Sequence, residues 1–520
     1  MATPRRFFRP KTTPETGRHD AYRQKLEGEY AFDPDTGNLS PFETYNAATQ
    51  ELQAILRDCK EKGKSLRARG SLWSLSKVAV TDGYLIDTKA LRLAFEVPKA
   101  LTNPSYPGDS HLLRFVECGN SVAALNDYLF SAGLSIKGCG SNNGQTVAGA
   151  ISTGTHGGGY RFGAMQDMVV GLHLITGADK HVYLERNAMP VMQPAFAQSI
   201  GADLIRDDTL FNAALVSFGS FGIIHGMMIE TRALFALNAV RFRFPYRESL
   251  KSAITTCDPQ QIPLPATAQA MPQSQPYHFE VFFNPNEGTP PEDAIVLLMF
   301  EAPYDANSYI PPSWHGGESG LSASGLNVMG ALVGKIPDPL NQLAVPFLNE
   351  QVKEEFSPYF KHGIIRDLFR GEKTLGKTLA CGVGMPVPRA IEAIDIAFNV
   401  YQDAKVILPV ILSFRFVKGT QALLGFTRFE PTAVLEMDAV NTPQTRAYFN
   451  QVLHALNKAG IPFTLHWGKY NDFLTAERLR ACYGETAIDQ WVSSRETLLD
   501  DPAVRQMFTN TFIARLGLAT

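Results

Sequence analysis

The stretch of the 520-residue chain that points most clearly to chemistry is a glycine-dense segment over residues 138–163, GCGSNNGQTVAGAISTGTHGGGYRFG. Glycine offers no side chain to a core and costs backbone entropy when ordered, which argues against a packed core strand. A low-complexity surface loop is the plain alternative, but it explains poorly why Val147, Ile151 and Thr153 are interleaved with the glycines. Bare backbone allows main-chain N–H groups to converge on an anion and a flat ring to lie against the chain. We therefore expect an anionic ligand with a planar ring system here.

Three polar residues stand in apolar or aromatic surroundings. Arg415 lies in the run VILPVILSFRFV, so its guanidinium either reaches a rim or is paired inside the protein. Lys469 follows a glycine in the turn LHWGK, where plain surface exposure is the alternative to a functional role. His466 in the same turn is open between a base, a residue that orients a ligand and a structural histidine. Arg415 and Lys469 are therefore candidate donors to a ligand.

Charge and composition exclude several classes of protein. Forty-eight Lys and Arg residues against 51 Asp and Glu residues leave a net charge of −3, so no basic field gathers a polyanion and nucleic acid is not expected as a partner. The hydrophobic fraction of 45% is typical of a folded soluble chain with a sizeable core. No apolar stretch is long enough to span a bilayer, so no membrane partner is expected.

The six cysteines are scattered without a CxxC pair or a nearby histidine at zinc-finger spacing. This pattern predicts no metal site and suits a reducing compartment. The N-terminus is basic but lacks the apolar core of a secretory signal. We therefore expect a cytoplasmic protein whose first twenty or so residues form a loose arm.

The elements that position these motifs alternate between helix and strand before about residue 236. Residues 45–62 place Leu52, Ile55 and Leu56 on one face, as an amphipathic helix requires. A hairpin follows the glycine-dense stretch, and a second tight backbone passage lies at residues 218–222. Long Pro- and Gly-rich connections between short strands then indicate a separate domain. The passage at 218–222 leads into a strand and not a helix, which disqualifies it as a Rossmann fingerprint.

Five motifs occur in one order along the chain: RARGSLWS, AGAISTGTHGGG, the 218–222 passage, LHWGK and RETLLDDPAVRQMFTN. In this order they resemble the vanillyl-alcohol oxidase/p-cresol methylhydroxylase flavoproteins, above all the aldonolactone, alditol and type II cholesterol oxidases. The resemblance implies an α+β fold with an FAD-binding domain of two α/β subdomains and an inserted α+β substrate (cap) domain. The boundaries it implies are an N-terminal arm at 1–43, the FAD-binding domain at 44–235, the cap at 236–465 and a C-terminal segment at 466–520 that returns to the FAD domain.

The resemblance also assigns residues to the cofactor. The first loop and the glycine-dense loop would hold the diphosphate and flank the flavin ring, with Lys469 at the flavin and His156 packing and hydrogen bonding around the loop. The residues expected to bind FAD are Arg69, Gly70, Ser71, Leu72, Trp73, Ser74, Gly149, Ala150, Thr153, Gly154, Thr155, His156, Gly157, Gly222, Ile223 and Lys469. The residues expected to be catalytic are Arg415, Lys469 and His466.

The chain departs from the family pattern at two points. Trp73 stands where the family has the histidine that bonds covalently to the flavin, so we expect non-covalent FAD. Cys139 is a second conceivable attachment point, but its spacing to Gly149 is too long and an inert buried thiol is expected. Ser413 stands two residues before Arg415, where the sugar and sterol oxidases have an acidic residue, so that carboxylate is expected to be missing.

The function that the resemblance implies is an FAD-dependent oxidoreductase, expected to be an oxidase. It would remove a hydride from a C–H next to oxygen or nitrogen of a small molecule, with O2 expected as electron acceptor. The apolar insert favours a bulky, less hydrophilic substrate. Two alternatives stay open: a flavoenzyme that triggers an oxidative cyclisation, and a flavin-binding protein whose chemistry has decayed. Oligomeric state is unknown from the sequence.

Overall fold

The structure is a computed structural model that describes residues 4–17, 19, 21–33, 39–269, 276–313, 356–370, 377–405 and 407–519. Its α-helices are Pro41–Glu61, Val122–Ser131, Val147–Ser152, Pro194–Ser199, Asp208–Leu215, Glu248–Thr256, Ile365–Leu368, Ala390–Asp403, Pro443–Lys458, Ala476–Tyr483, Glu485–Leu498, Pro502–Met507 and Thr511–Arg515. No helix in the described residues is long and apolar enough to cross a membrane. The strands form three main sheets and two small two-stranded ones.

The first sheet is built from the N-terminal quarter of the chain. In spatial order its strands are Arg6–Pro10, Gly28–Phe32, Tyr84–Asp87 and Leu66–Arg69, and the first pair is antiparallel while the others are parallel. A two-stranded ribbon of Glu15–Thr16 and Arg23–Gln24 connects its first two strands. The expectation of a loose arm at the N-terminus is therefore wrong. Phe8 explains why, because its ring lies 4.9 Å from that of Tyr30 and 5.0 Å from that of Tyr84 and so fixes the edge strand to the sheet.

The first long helix starts four residues earlier than its apolar spacing predicts. Ser40 caps it, because the Ser40 hydroxyl accepts from the Glu43 N–H while the Glu43 carboxylate accepts from the Ser40 N–H. Pro41 occupies the first helical position, where its missing N–H costs nothing. The predicted face of Leu52, Ile55 and Leu56 is fully buried against the first sheet.

The second sheet forms the other half of the first domain. Its strands in spatial order are Asp203–Arg206, His181–Glu185, Val169–Ile175, Ile223–Glu230, Leu113–Glu117 and Ala94–Glu96, and the two-stranded sheet of Leu134–Ser135 and Arg232–Ala233 lies beside it. Val169–Ile175 and His181–Glu185 form the predicted hairpin. Part of the glycine-dense stretch forms the short helix Val147–Ser152, which packs on Ile223–Glu230.

The third sheet belongs to the second half of the chain and is antiparallel throughout its described strands. In spatial order they are Tyr359–Gly363, Phe235–Pro245, Asp293–Pro303, Pro276–Phe283, Val410–Val417, Thr432–Val440, Thr378–Pro386 and Thr464–Leu465. The helices Ala390–Asp403 and Pro443–Lys458 pack on each other and on the Thr432–Val440 strand. We call this unit the cap sheet.

The C-terminal helices leave the cap sheet and pack on the first domain. Glu485–Leu498 packs against Asp208–Leu215, and Pro502–Met507 packs against the first long helix. This return brings Arg495 into the first domain, where it is fully buried.

Candidate functional site

A cavity of about 340 Å³ lies between the first domain and the cap sheet. Most of the residues predicted to act at a site line it. They are Arg69, Gly70, Ser71, Leu72, Trp73, Ser74, Gly149, Ala150, Thr153, Thr155, His156, Gly222, Arg415, His466 and Lys469. Segments separated by up to about 400 residues in sequence therefore share one cavity wall.

The first loop follows the strand Leu66–Arg69 and is tied to the LHWGK turn. The Leu75 N–H donates to the Gly468 carbonyl at 2.8 Å, and the Ser76 hydroxyl donates to the Trp467 carbonyl at 2.5 Å. A Cβ added at Gly70 would lie 2.0 Å from Thr146 Oγ1, so the first loop also touches the start of the glycine-dense loop. Glycine is needed at position 70 because the two loops leave no room for a side chain.

Three of the predicted cofactor residues lie outside the cavity wall. Gly154 has a φ of +77° and shapes the turn after the short helix, with Phe426 beside it. Gly157 packs on backbone, because an added Cβ would lie 2.4 Å from the Cys139 carbonyl oxygen. Ile223 is in the core, and the next residue along the strand, Ile224, lines the cavity instead. Alternate strand residues point to opposite faces, which explains the shift by one position.

The Arg69 guanidinium is already held by carboxylates. Arg69 lies 3.2 Å from Glu15 and 3.3 Å from Asp87, and it also pairs with the buried Glu29. One of these partners, Glu15, lies in the N-terminal segment that was expected to be a loose arm. The side chain of Arg69 therefore anchors that segment and is not free to neutralise a phosphate.

The second tight passage, residues 218–222, is held by its carbonyl groups. Arg67 donates to the carbonyls of Phe218 and Gly219 at 2.8 and 2.9 Å, and Arg495 donates to that of Ser220 at 2.9 Å. Burial lowers the pKa of Arg67 to about 9 and, with help from Arg505, that of Arg495 to about 10. Two buried guanidinium groups therefore fix this passage in an orientation in which its carbonyl groups point toward the arginines.

Arg415 meets a carboxylate that comes from another strand. Arg415 and Glu280 are direct cross-strand partners in the cap sheet, and Arg415 Nε donates to Glu280 Oε1 at 2.6 Å. Burial alone would raise the pKa of Glu280, but Arg415 holds it below its usual range. Position 413 is Ser, as expected, and strand pairing supplies a different carboxylate, Glu280, beside Arg415.

Lys469 meets a second buried carboxylate. Lys469 Nζ donates to Glu436 Oε2 at 2.5 Å, and His156 Nε2 lies 3.1 Å from Glu436 Oε1. Gly382 makes this approach possible, because an added Cβ would lie 3.0 Å from Glu436 Oε2. Burial alone would raise the pKa of Glu436, but the Lys469 ammonium holds it well below its usual range. The glycine-dense loop, the cap sheet and the LHWGK turn thus meet in one charge cluster.

His466 is a neutral hydrogen-bond donor in this arrangement. Its Nδ1 accepts from the Gly468 N–H at 3.0 Å, so the ring proton resides on Nε2. Burial lowers its pKa well below the usual range. His156 is also buried, and burial lowers its pKa in spite of the nearby Glu436. Neither histidine supplies a positive charge at neutral pH.

The sequence reasoning missed the acidic half of the site. Glu280, Glu436 and Asp438 occur in apolar strand sequences, PYHFEVFF and TAVLEMDAV. The signal was present, since Glu436 and Asp438 are two residues apart in a strand and so share a face. Only the pairing of strands distant in sequence brings Glu280 to Arg415 and places Glu436 and Asp438 in the wall of the same cavity.

The loops around the cavity fit a dinucleotide with a flat ring. Glycines leave room in the wall at positions 70 and 149, and Trp73 adds an aromatic surface. Asn142 Oδ1 and Gln145 Oε1 belong to lining residues and are buried without a hydrogen-bond partner among the described residues, so a bound ligand can satisfy them. These are the features expected of a site for a nucleotide-type cofactor.

Comparison with known proteins identifies this ligand. Residues 45–184 match the FAD binding domain family. The chain is 23% identical over 471 residues to L-gulono-1,4-lactone dehydrogenase of Mycobacterium tuberculosis, covering 90% of this chain and 93% of that enzyme. It is 28% identical over 195 residues to D-arabinono-1,4-lactone oxidase of Yarrowia lipolytica, a match that spans 38% of this chain and only 32% of that enzyme's length.

Solved structures share the whole fold. Cholesterol oxidase from Brevibacterium sterolicum superimposes with a TM-score of 0.68 at 13% identity and covers 99% of this chain and 97% of its own. Xylooligosaccharide oxidase from Myceliophthora thermophila gives a TM-score of 0.58 at 12% identity, covering 95% and 92%. The predicted α+β fold with an FAD-binding part of two subdomains is confirmed. The chain thus contains an FAD binding domain, is similar in sequence to aldonolactone oxidases and dehydrogenases, and shares the fold of cholesterol oxidase.

Proposed function

We propose that this protein oxidises a C–H next to oxygen or nitrogen in a small, largely apolar substrate. The observation that carries the proposal is the single cavity in which the two cofactor loops face the ion pairs Arg415–Glu280 and Lys469–Glu436. When bound, FAD supplies a hydride acceptor. Expulsion of water from such a cavity strengthens every charge interaction inside it.

The residues of the chain would bind and orient the substrate. Arg415 and Lys469 line the cavity, and their paired carboxylates fix the directions of their N–H groups. Preorganised donors of this kind stabilise negative charge that develops on a substrate oxygen. His466 adds a neutral Nε2–H donor to the same wall.

A substrate screen under nitrogen tests the proposal. Alcohols, amines and aldonolactones are mixed with the FAD-loaded protein, and loss of the yellow flavin absorbance is followed. The lactones are included because the curated relatives are named as lactone oxidases and dehydrogenases. We expect rapid bleaching by one class, and bleaching slowed by about 10²–10³ in Arg415→Ala. Arg415→Lys controls for the buried charge that the alanine variant leaves on Glu280. Bleaching by no class would favour a protein whose chemistry has decayed.

The flavin is proposed to be non-covalent. Trp73 lines the cavity at the position that carries the family's histidine link, and an indole N–H has no free lone pair with which to attack the flavin. Cys139 does not line this cavity, and burial raises the pKa of its thiol to about 12. Acid precipitation should leave free FAD in the supernatant. A yellow pellet would contradict non-covalent binding.

Dioxygen is the proposed electron acceptor, and the cytoplasm the proposed location. The six cysteines, all within the described residues, form no disulfide, which supports a reducing compartment. Oxygen consumption during turnover tests the acceptor. Turnover that requires a dye and consumes no oxygen would assign the protein to the dehydrogenases.

A further inference from the structure

Asp438 is an acidic residue in the cavity wall that the proposed roles leave unused. It lies on the strand Thr432–Val440, where Ala380 and Ile411 of the two flanking strands are its direct neighbours. Asp438 and both neighbours line the cavity. Its carboxylate is partly buried and shares the strand face of Glu436.

Glu280, Glu436 and Asp438 differ in their ion pairing. Glu280 is paired with Arg415, and Glu436 is paired with Lys469. Within the described residues, the Asp438 carboxylate has neither a hydrogen-bond nor an ion-pair partner. His156 and His466 are neutral because burial lowers both pKa values. Arg415 and Lys469 are thus each held by a glutamate, His278 Nε2 also lies 3.1 Å from Glu280 Oε2, and Asp438 is the carboxylate of the three without an ion-pair partner.

The other arginines of the cavity wall are engaged elsewhere. Arg69 is held among Glu15, Glu29 and Asp87. The guanidinium of Arg241 lies 4.3 Å from the centre of the Tyr359 ring and donates to the Ser357 carbonyl at 3.0 Å. No other arginine lines the described part of the cavity apart from Arg415.

Apolar side chains also line the wall around Asp438. Its neighbours in the cavity wall include Leu379, Ala380 and Ile411, and the rings of Phe282 and Phe356 line the same cavity. These two rings lie 5.0 Å apart between centroids. A carboxylate without a direct ion-pair partner in such a wall is costly unless a ligand brings a positive charge to it.

We propose that the substrate of this protein carries a protonated amino group, which forms an ion pair with Asp438, on an apolar body that packs against the cap sheet. The inference rests on the proposed function for the location of the substrate. It narrows the substrate from C–H donors in general to C–H donors that also carry a cationic amino group. The ammonium group would supply Asp438 with the ion-pair partner that Glu280 and Glu436 already have in Arg415 and Lys469.

The surroundings of Asp438 disfavour the ionised form of its carboxyl group. Burial raises the pKa of Asp438, with Lys469 and Arg415 opposing the shift and Glu436 and Glu280 adding to it. The flanking strand residues Ala380 and Ile411 are not titratable. A bound ammonium favours the ionised form, so amine binding should weaken as the pH falls and Asp438 becomes protonated.

A matched pair of ligands tests the proposal without turnover. The probes are 2-phenylpropan-2-amine and 2-phenylpropan-2-ol, which have nearly the same shape and no hydrogen on the carbon that bears nitrogen or oxygen. Binding to the FAD-loaded protein is measured by calorimetry at pH 7.5. We expect the amine to bind at least about tenfold more tightly, as a charge-assisted contact implies. An amine that binds no more tightly than the alcohol, or does not bind, would overturn the proposal.

Variants then assign the preference to one residue. Asp438→Asn should bring the two affinities to within about threefold of each other, since a neutral amide loses the charge-assisted contact. Asp395→Asn is the matched control, because burial also raises the pKa of Asp395 but this residue does not line the cavity. It should keep the full preference. Persistence of the preference in Asp438→Asn would contradict the assignment.

A pH series covers the case in which Asp438→Asn does not fold. The amine preference of the parent protein should decline between pH 8 and pH 4, whereas a constant preference would argue against Asp438. FAD content is read from the absorbance of the same samples. A protein without FAD would contradict the proposed function, while the amine preference reports on Asp438 separately.

Discussion

The two walls of the cavity are built by different means. The wall from the first domain is mainly backbone, with glycines at 70 and 149 and carbonyls held from behind by Arg67 and Arg495. The wall from the cap sheet carries ionised side chains in cross-strand or turn-mediated pairs, Arg415 with Glu280 and Lys469 with Glu436. In the proposed function, binding of the cofactor and polarity toward the substrate are therefore assigned to separate domains.

Removal of a cation on the cap-sheet side should give the largest effect, a loss of flavin reduction without a loss of FAD binding. Lys469→Ala is expected to lower the rate of flavin reduction by about 10²–10³ while FAD content stays near that of the parent protein. The reason is that Lys469 pairs with Glu436 of the cap sheet, whereas the glycine-shaped wall stays intact. Stopped-flow reduction under nitrogen measures the rate, with Lys469→Arg as the control that keeps the charge. Loss of FAD together with the rate would break the separation.

The same ion pair should also make stability depend on pH. The folded-state pKa of Glu436 lies below its unfolded value of about 4.3, so its stabilisation is present above that pH and is lost as the pH falls through the folded pKa. Lys469→Met should lower the free energy of unfolding at pH 7 by about 3 kcal/mol, since it leaves a buried carboxylate with less compensation. Urea unfolding at pH 7 and pH 4 should show the difference from the parent shrinking at pH 4. An equal difference in the free energy of unfolding at pH 7 and pH 4 would mean that Lys469→Met destabilises the protein through lost packing and not through the lost ion pair.

The glycine-dense loop should respond to a side chain added at Gly157, which lies outside the cavity lining and packs on backbone. In Gly157→Ala the new Cβ would lie 2.4 Å from the Cys139 carbonyl, and backbone cannot rotate away as a side chain can. We expect FAD to bind about tenfold more weakly, the effect of modest overpacking. Gly138→Ala is the control, because its Cβ would meet only the Tyr277 hydroxyl at 3.5 Å. Titration of apoprotein with FAD, followed by flavin fluorescence, measures both, and equal affinities would show that the loop tolerates the shift.

The smallest effect is expected from a substitution at Cys139, which lies outside the cavity lining. Cys139→Ala removes a buried thiol that lies outside the cavity lining, so FAD content, acid release of FAD and flavin reduction should all match the parent protein. The absorbance spectrum after acid precipitation is the measurement. A change in the amount of released FAD would mean that Cys139 takes part in flavin attachment.

The sequence was enough to predict the glycine loops and the two cations of the cavity, but it did not reveal the carboxylates that pair with those cations. The loop at 70–74 and the glycine-dense loop were found because glycine spacing reports directly on what backbone can do. Arg415 and Lys469 were found as charges out of place in apolar runs. Their partners Glu280 and Glu436 were missed because each pairing depends on strand register, and a shift of one residue would turn these side chains to the opposite face.

The sequence by itself determined the class of cofactor site and singled out Arg415 and Lys469, because each is written in residues close together along the chain. The tertiary structure decided which carboxylate meets which cation, that Ile224 and not Ile223 lines the cavity, and that the N-terminal strand joins the first sheet. It also decided that the Asp438 carboxylate has no hydrogen-bond or ion-pair partner among the residues that the structure describes. The physical reason is range: backbone freedom is a local property, whereas the balance of buried charge depends on strands that only folding brings together.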